Sequence, residues 1–245
     1  MTGDSYNYDG YSFAFEAPAY EAWLAEAPAL GTEAPDFELP DLEGRRHRLV
    51  DLRGCPVVIE FGSYTCPIFC AQVPSMKALA LDHSEAFFLA IYAREAHPGE
   101  ITGRHTSLNA KVEAARRLAR DEDLGRTLLV DDLDGQVHGA YGGAWDPVFV
   151  LDGSGQVVLR RAWNDPVQVG QTLDALRRNE VPTPIESIEM VPVAGSGGMG
   201  HGLLRGGEKA VLDFYRSVPA PVQGLLDNSD SEDVRRIVAT EQRWR

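Results

Sequence analysis

Short apolar runs and helically spaced apolar positions alternate along the middle of the chain. Ala34-Pro35-Asp36-Phe37-Glu38-Leu39 reads as a short strand, and Glu43-Gly44 turns into a second at Arg46 to Leu49. Val57-Val58-Ile59 is a short apolar, β-branched run that reads as a buried strand, continuing to Phe61. Ala71 to Leu81 has helical spacing, and Phe87 to Tyr92 is another buried strand. Ser107 caps a helix whose Leu108, Val112, Ala115 and Leu118 share one face. Thr127 to Val130 is a strand. Val148 to Leu151 and Gln156 to Leu159 form a hairpin across Asp152-Gly153-Ser154-Gly155, and Asp165-Pro166 opens a helix through Leu173 and Leu176. Strand and helix alternating, closed by a hairpin and a helix, predict an α/β layered sheet.

The ends differ from this middle. Tyr6, Tyr8, Tyr11, Phe13 and Phe15 alternate with polar or small residues around Asp9-Gly10, a hairpin-turn signal, and a short helix follows at Ala19 to Ala27. The aromatic stripe reads as an arm filling a groove, or as a cover over the site. From Val193 to Gly207 glycine dominates, which predicts a flexible loop; it lacks the Gly-Lys-Ser/Thr ending of a phosphate loop. Helices are expected at Glu208 to Ser217, Val222 to Leu226 and Asp233 to Trp244. The division is an arm at 1–30, the layered unit at 31–180 and a helical extension at 181–245.

At 245 residues, 44% of them hydrophobic and 24% charged, the chain can bury a substantial core. Its net charge of -14 argues against nucleic acid or an anionic membrane as partner. No apolar run approaches the roughly 18 residues of a membrane span. Met1 to Gly10 has no basic stretch leading into an apolar one, so no signal peptide is expected and the reading is cytoplasmic. Three cysteines are too few for a disulfide framework.

Two of those cysteines carry the chemistry. In Phe61-Gly62-Ser63-Tyr64-Thr65-Cys66-Pro67-Ile68-Phe69-Cys70, a buried strand hands over to a helix with Pro67 in its first turn. Cys66 then falls at the helix N-terminus, where free N–H groups and the helix dipole lower a thiol's pKa. Cys70 lies one turn on, on the same face, with Cα atoms roughly 6 Å apart, within disulfide range. The pattern predicts a reactive thiolate with a resolving partner; the alternative for Cys70 is plain core packing. Glu60, a carboxylate inside an apolar strand, is either a buried acid that takes the second thiol's proton or a solvated edge residue. His97 and His105 follow the next strand as candidate acids. Cys55, His47, His83, His138 and His201 sit in no motif and read as structural.

Several of these stretches resemble one family. Phe61-Gly62-Ser63-Tyr64-Thr65-Cys66-Pro67 is similar to the Asn-Phe-Gly-Ser-x-Thr-selenocysteine-Pro signature of the iodothyronine deiodinases, within the thioredoxin superfamily. Ile91-Tyr92 with Glu95-Ala96-His97-Pro98, Arg104-His105-x-Ser107-Leu108, and Ala140-Tyr141-Gly142 ahead of Val148-Phe149-Val150 match its later motifs in order. The resemblance covers roughly Gly31 to Leu176. It implies a thioredoxin-like fold, a central mixed sheet flanked by helices. It also implies a site of Cys66 with Ser63, Thr65, Glu95, His97 and His105; by their own chemistry, Thr65 is expected to donate to the sulfur and Glu95, at a strand end two residues before His97, to orient that ring. Pro147 falls where such folds carry a cis-proline facing the reactive cysteine; Tyr64, Trp145 and Pro147 are the candidate substrate contacts. The chain departs from the family with sulfur for selenium, Tyr64 and Cys70 at its Cys and Met positions, Gly99-Glu100-Ile101 for its Asp-Gly-Trp, and no apolar anchor.

The expected activity is a thiol-dependent oxidoreductase needing no cofactor. Cys66 attacks the halogen of a halogenated aromatic or the oxygen of a hydroperoxide. Cys70 resolves the product to a disulfide, and thioredoxin or a low-molecular-weight thiol reduces it. A homodimer is compatible with this. The alternatives are a copper-binding chaperone using Cys66, Cys70 and a histidine, since soft thiolates select Cu(I), and a peroxiredoxin-like redox sensor.

Overall fold

The computed structural model describes residues 6–12, 22–184 and 196–242, with 196–199 through their backbone alone. Phe13, Phe15 and Trp244 lie outside the described residues. Strands β1 (Glu38–Pro40) and β2 (Arg46–Arg48) pair as a small antiparallel ribbon, and a 3-10 turn follows at Leu49–Leu52. The main sheet holds β3 (Val57–Gly62), β4 (Phe87–Tyr92), β5 (Thr127–Val130), β6 (Val148–Leu151) and β7 (Val157–Arg161) in the order β5-β4-β3-β6-β7. β3, β4 and β5 run parallel; β6 and β7 are antiparallel to their neighbours. This mixed order is the α/β layered sheet that the sequence pattern predicts, in the mixed, thioredoxin-like form that the family resemblance implies.

Alternation in β3 divides the interior. Val57, Ile59 and Phe61 face a cluster with Trp23, Phe37, Leu49, Tyr141 and Phe149. Val58 faces the other way, onto Met76 of α1 (Pro67–Asp82) and Val169 and Leu173 of α4 (Pro166–Arg177). Helix α2 (Leu108–Asp121) starts where expected, with Ser107 Oγ accepting from the Ala110 N–H at 3.2 Å. Asp165 caps α4 through the N–H groups of Val167 and Gln168. A short helix α3 (Gln136–Ala140), which periodicity over five residues does not reveal, precedes β6.

The ends depart from expectation. The glycine-rich stretch is not a loop: residues Ser196–Gly206 form helix α5, followed by α6 (Glu208–Ser217), α7 (Ala220–Asp227) and α8 (Glu232–Gln242). Glycine's cost in a helix is offset here because α5 packs directly on α1. A side chain at Gly202 would meet the backbone of Pro67, and one at Gly206 the carbonyl of His97. Leu203, Val211, Phe214, Val234 and Ile237 share one core with Cys66, Cys70, Val73 and Leu118, so the extension is built into the site. The described arm residues 6–12 contain no strand, so the hairpin expected at Asp9-Gly10 is absent there. Tyr6 hydrogen-bonds His138, Tyr8 donates to the Ala96 carbonyl, and Tyr11 lies on the His97 ring. The arm both fills a groove and covers the site.

Candidate active site

Cys66 is the N-cap of α1, with φ -79° and ψ 111°, and Pro67 occupies the first helical position. Its sulfur accepts from the Phe69 N–H at 3.5 Å, and the Cys70 N–H closes the first turn onto the Cys66 carbonyl at 3.1 Å. Cys70 directs its thiol at the Tyr64 carbonyl, 3.7 Å away. All three cysteines are free.

The helix start does not make Cys66 an acidic thiol in this conformation. Cys66 is 3% exposed, and burial, followed by the charge of Asp146, pushes its pKa well above the ordinary thiol value. The Phe69 N–H pulls the other way but loses. Cys70 is 6% exposed, and burial pushes it up to about 12 against the opposing pull of Arg205. The expected lowered thiol pKa is therefore corrected: the N–H groups of Phe69 and Ile68 do not offset removal of the sulfur from water.

The loop after β4 is tied to the Cys66 turn by buried hydrogen bonds. The Thr65 N–H and hydroxyl both donate to Glu95 Oε2, at 3.0 and 2.7 Å, and the His97 N–H donates to Thr65 Oγ1 at 3.1 Å. Tyr92 donates its hydroxyl to Glu95 Oε1 and accepts from the Tyr64 N–H at 3.1 Å. The Ala96 N–H donates to Ser63 Oγ at 3.1 Å. Thr65 thus serves Glu95 rather than the sulfur, and Ser63 fixes the backbone of the opposite loop. Glu95 has His105 as its imidazole partner, Nε2 3.2 Å from Oε1, and does not orient the His97 ring as expected. Burial raises Glu95, but His105, Tyr92 and Thr65 together bring it below the usual carboxylate range.

The His97 ring packs between Tyr11 and Phe214, with centroids 4.3 and 5.2 Å away, and among the described residues its Nδ1 has no hydrogen-bond partner. Burial lowers its pKa to about 3, against a smaller opposing effect of Glu95, so the ring is neutral near pH 7 in this closed form. That corrects the expectation of a charged acid at His97. Glu60 is buried, as one of its two readings requires, but it pairs with Arg126 and accepts from Asn164 Nδ2 at 2.9 Å rather than meeting a thiol. Desolvation raises it while Arg126 holds it down.

Tyr64 lies between the guanidinium groups of Arg205 and Arg117, 4.5 and 5.0 Å from its ring, and donates to Asp121 at 2.5 Å. Trp145 stacks on Trp163 at 5.2 Å; Trp163 is the member of that pair that reaches the Cys66 cluster. No peptide bond among the described residues is cis, so Pro147 does not take the expected isomer. His47, His83 and His138 are held by Asp41, Arg177 and Tyr6. Among the described residues no three His, Cys, Asp or Glu side chains converge as a metal site, so the copper reading lacks its third ligand.

Sequence reasoning missed Asp146 and Arg205. Asp146 is fully buried, its carboxyl oxygens lack a well-formed hydrogen bond among the described residues, and desolvation and then Glu60 push its pKa far up, with the nearby Asn164 backbone and Arg126 opposing. Its proximity to Pro147 is visible in the sequence; its inward direction is not. Arg205 has no sequence signal, because it sits in the stretch read as a loop.

The family model of iodothyronine deiodinase matches residues 12–168. The chain belongs to the iodothyronine deiodinase family. It is 33% identical to the thyroxine 5-deiodinase of Gallus gallus over 135 residues, 50% of this chain and 52% of that protein. It is 31% identical to the Bos taurus thyroxine 5-deiodinase over 169 residues, 64% of this chain and 53% of that one. The chain spans about half the length of these curated relatives. A conserved protein of Geobacillus kaustophilus shares the fold, with a TM-score of 0.55 at 22% identity over 68% of this chain and 94% of that one. A Sinorhizobium meliloti protein does so with a TM-score of 0.54 at 19% identity over 65% and 90%. Helix α5 and all that follows it lie beyond the family match. No helix among the described residues is long and apolar enough to cross a membrane.

Proposed function

We propose that this deiodinase-family protein is a thiol-dependent reductive dehalogenase of halogenated aromatics. The observation that carries the reading is the pair of free thiols on the first turn of α1, inside the matched family segment and joined through Thr65 to the buried Glu95–His105–Tyr92 network. The Cys66 thiolate attacks the halogen, the carbon–halogen bond breaks, and its electron pair stays on carbon, which takes up a proton. Asp146, a buried carboxyl whose pKa burial pushes up, is suited to supply that proton. The sulfenyl halide left on Cys66 is resolved by Cys70, and an external thiol reduces the disulfide.

Substrate reaches Cys66 only when the cover of Tyr11, Phe214 and α5 moves aside. Opening also hydrates the thiol, which removes the largest cause of its raised pKa. The test is a panel of iodinated and brominated phenols and hydroperoxides with dithiothreitol, read by halide release and peroxide loss. Halide release by the wild type and none by Cys66→Ser is the expected result. Peroxide loss without halide release shifts the assignment to a thiol peroxidase, and equal turnover in Cys66→Ser removes both.

A further inference from the structure

The C-terminal extension places one cation against one sulfur. Arg205, on α5, donates from Nη1 to Cys70 Sγ at 2.9 Å and from the same nitrogen to the Tyr64 carbonyl at 3.4 Å. Its Nη2 is held by Glu122 at the end of α2, and its plane lies over the Tyr64 ring at 4.5 Å. The guanidinium is thus clamped on three sides, and its fork spans a carboxylate and a thiol. The described residues show no corresponding cation on Cys66, whose sulfur is met by the backbone N–H groups of Phe69 and Ile68.

We propose that Arg205 is the electrostatic partner of the Cys70 thiolate in the resolving step, supplied by an extension outside the family segment. This rests on the reading above, in which Cys70 resolves Cys66. The step balances without a further reactant. Cys70 loses its proton to water, and its thiolate attacks the Cys66 sulfur of the sulfenyl halide. The S–S bond forms, the sulfur–halogen bond breaks, and halide leaves with the electron pair. Arg205 stabilises the charge on Cys70 before attack. The titratable and charged groups facing Cys70 are Arg205 from α5, Glu122 after α2, Glu95 from the loop after β4 and Asp146 ahead of β6. Arg205 alone of these favours the anion, and the three carboxyl groups oppose it. Glu122 therefore has two effects: it fixes Arg205 in place, and it opposes the charge Arg205 stabilises.

The two substitutions that break the Arg205–Glu122 pair must then move Cys70 in opposite directions. In a Cys55→Ser, Cys66→Ser background Cys70 is the sole thiol, and its rate of reaction with a small methanethiosulfonate at one mildly alkaline pH reads its thiolate fraction. Arg205→Gln should slow it about tenfold, equal to one pH unit. Glu122→Gln should speed it, and Arg205→Lys should stay near the parent because charge is kept. Looser packing of α5 would expose Cys70 in both variants and speed both. Two rates that move in the same direction, or neither changing, overturn the proposal. The resolving role is read separately, as the Cys66–Cys70 disulfide in otherwise wild-type protein after halide release. Its absence defeats that role while the rate series still reports on Arg205.

Discussion

Gly202 of α5 lies so close to Pro67 of α1 that a side chain there would overlap the backbone next to Cys66. The glycine-rich composition that reads as a loop in sequence is the composition that lets a helix seal a helix N-terminus. The closed cover and the raised thiol pKa are one fact seen twice, since the same contact that excludes water from Cys66 disfavours its anion.

Gly202→Val should lift α5 from α1. The overlap is with backbone, so relief by a side-chain rotation is not open, and overpacking of this kind costs about 1–3 kcal/mol. Cys66 should alkylate faster than in the wild type while the melting temperature falls. Alkylation at the wild-type rate would mean that α5 does not control access.

The fate of His97 sets an acid limit on stability. Its folded pKa is about 3 against an ordinary 6.5, so the unfolded chain binds the proton more readily. The stability this contributes is present above 6.5 and is lost as pH falls from there toward 3. Thermal melts should show a decline across that window. His97→Phe keeps the ring between Tyr11 and Phe214 and should flatten the decline. An unchanged slope in that variant would assign the acid sensitivity elsewhere.

Arg126 and Glu60 are both fully buried and paired. Arg126→Leu leaves a carboxylate without its cation and should cost about 3–5 kcal/mol in denaturant unfolding. Glu60→Leu with Arg126→Leu removes both charges and should recover most of that loss. If the double substitution were as unstable as the single one, packing rather than charge would explain the effect.

Thr65 holds Glu95 with a hydroxyl bond of 2.7 Å and receives the His97 N–H on the same oxygen. Thr65→Val deprives a buried carboxylate and a buried N–H of one partner each, and should destabilise by about 2–4 kcal/mol. Thr65→Ser keeps the hydroxyl and should lie close to the wild type. An equal loss in Thr65→Ser would mean that packing of the methyl group, which Val keeps and Ser lacks, matters as much as the hydroxyl; no loss in Thr65→Val would contradict the role of the hydroxyl bonds.

Much of the fold was legible because period carries it. β4, β5 and β6 fall on the apolar runs that announce them, and Ser107 and Asp165 cap the helices their sequence signals mark. The Cys66 turn was legible because Pro67 and the spacing to Cys70 are local features. What escaped is non-local. Nothing in the neighbourhood of Thr65 shows that its hydroxyl belongs to Glu95, thirty residues away. The direction of Asp146 depends on the register of β6, and the helix at Ser196–Gly206 exists because α1 offers a flat partner, which local propensity cannot reveal.

The account turns on sulfur chemistry shared between residues 66 and 70. A single turnover of reduced protein with an iodinated phenol, followed by intact mass and peptide mapping, tests it most directly. Wild-type protein should release one iodide per chain and carry a Cys66–Cys70 disulfide; Cys70→Ser should retain an oxidised Cys66, as the sulfenyl iodide or, once water has displaced iodide, as the sulfenic acid. Iodide release from Cys66→Ser at the wild-type rate, with both remaining cysteines reduced, would contradict it.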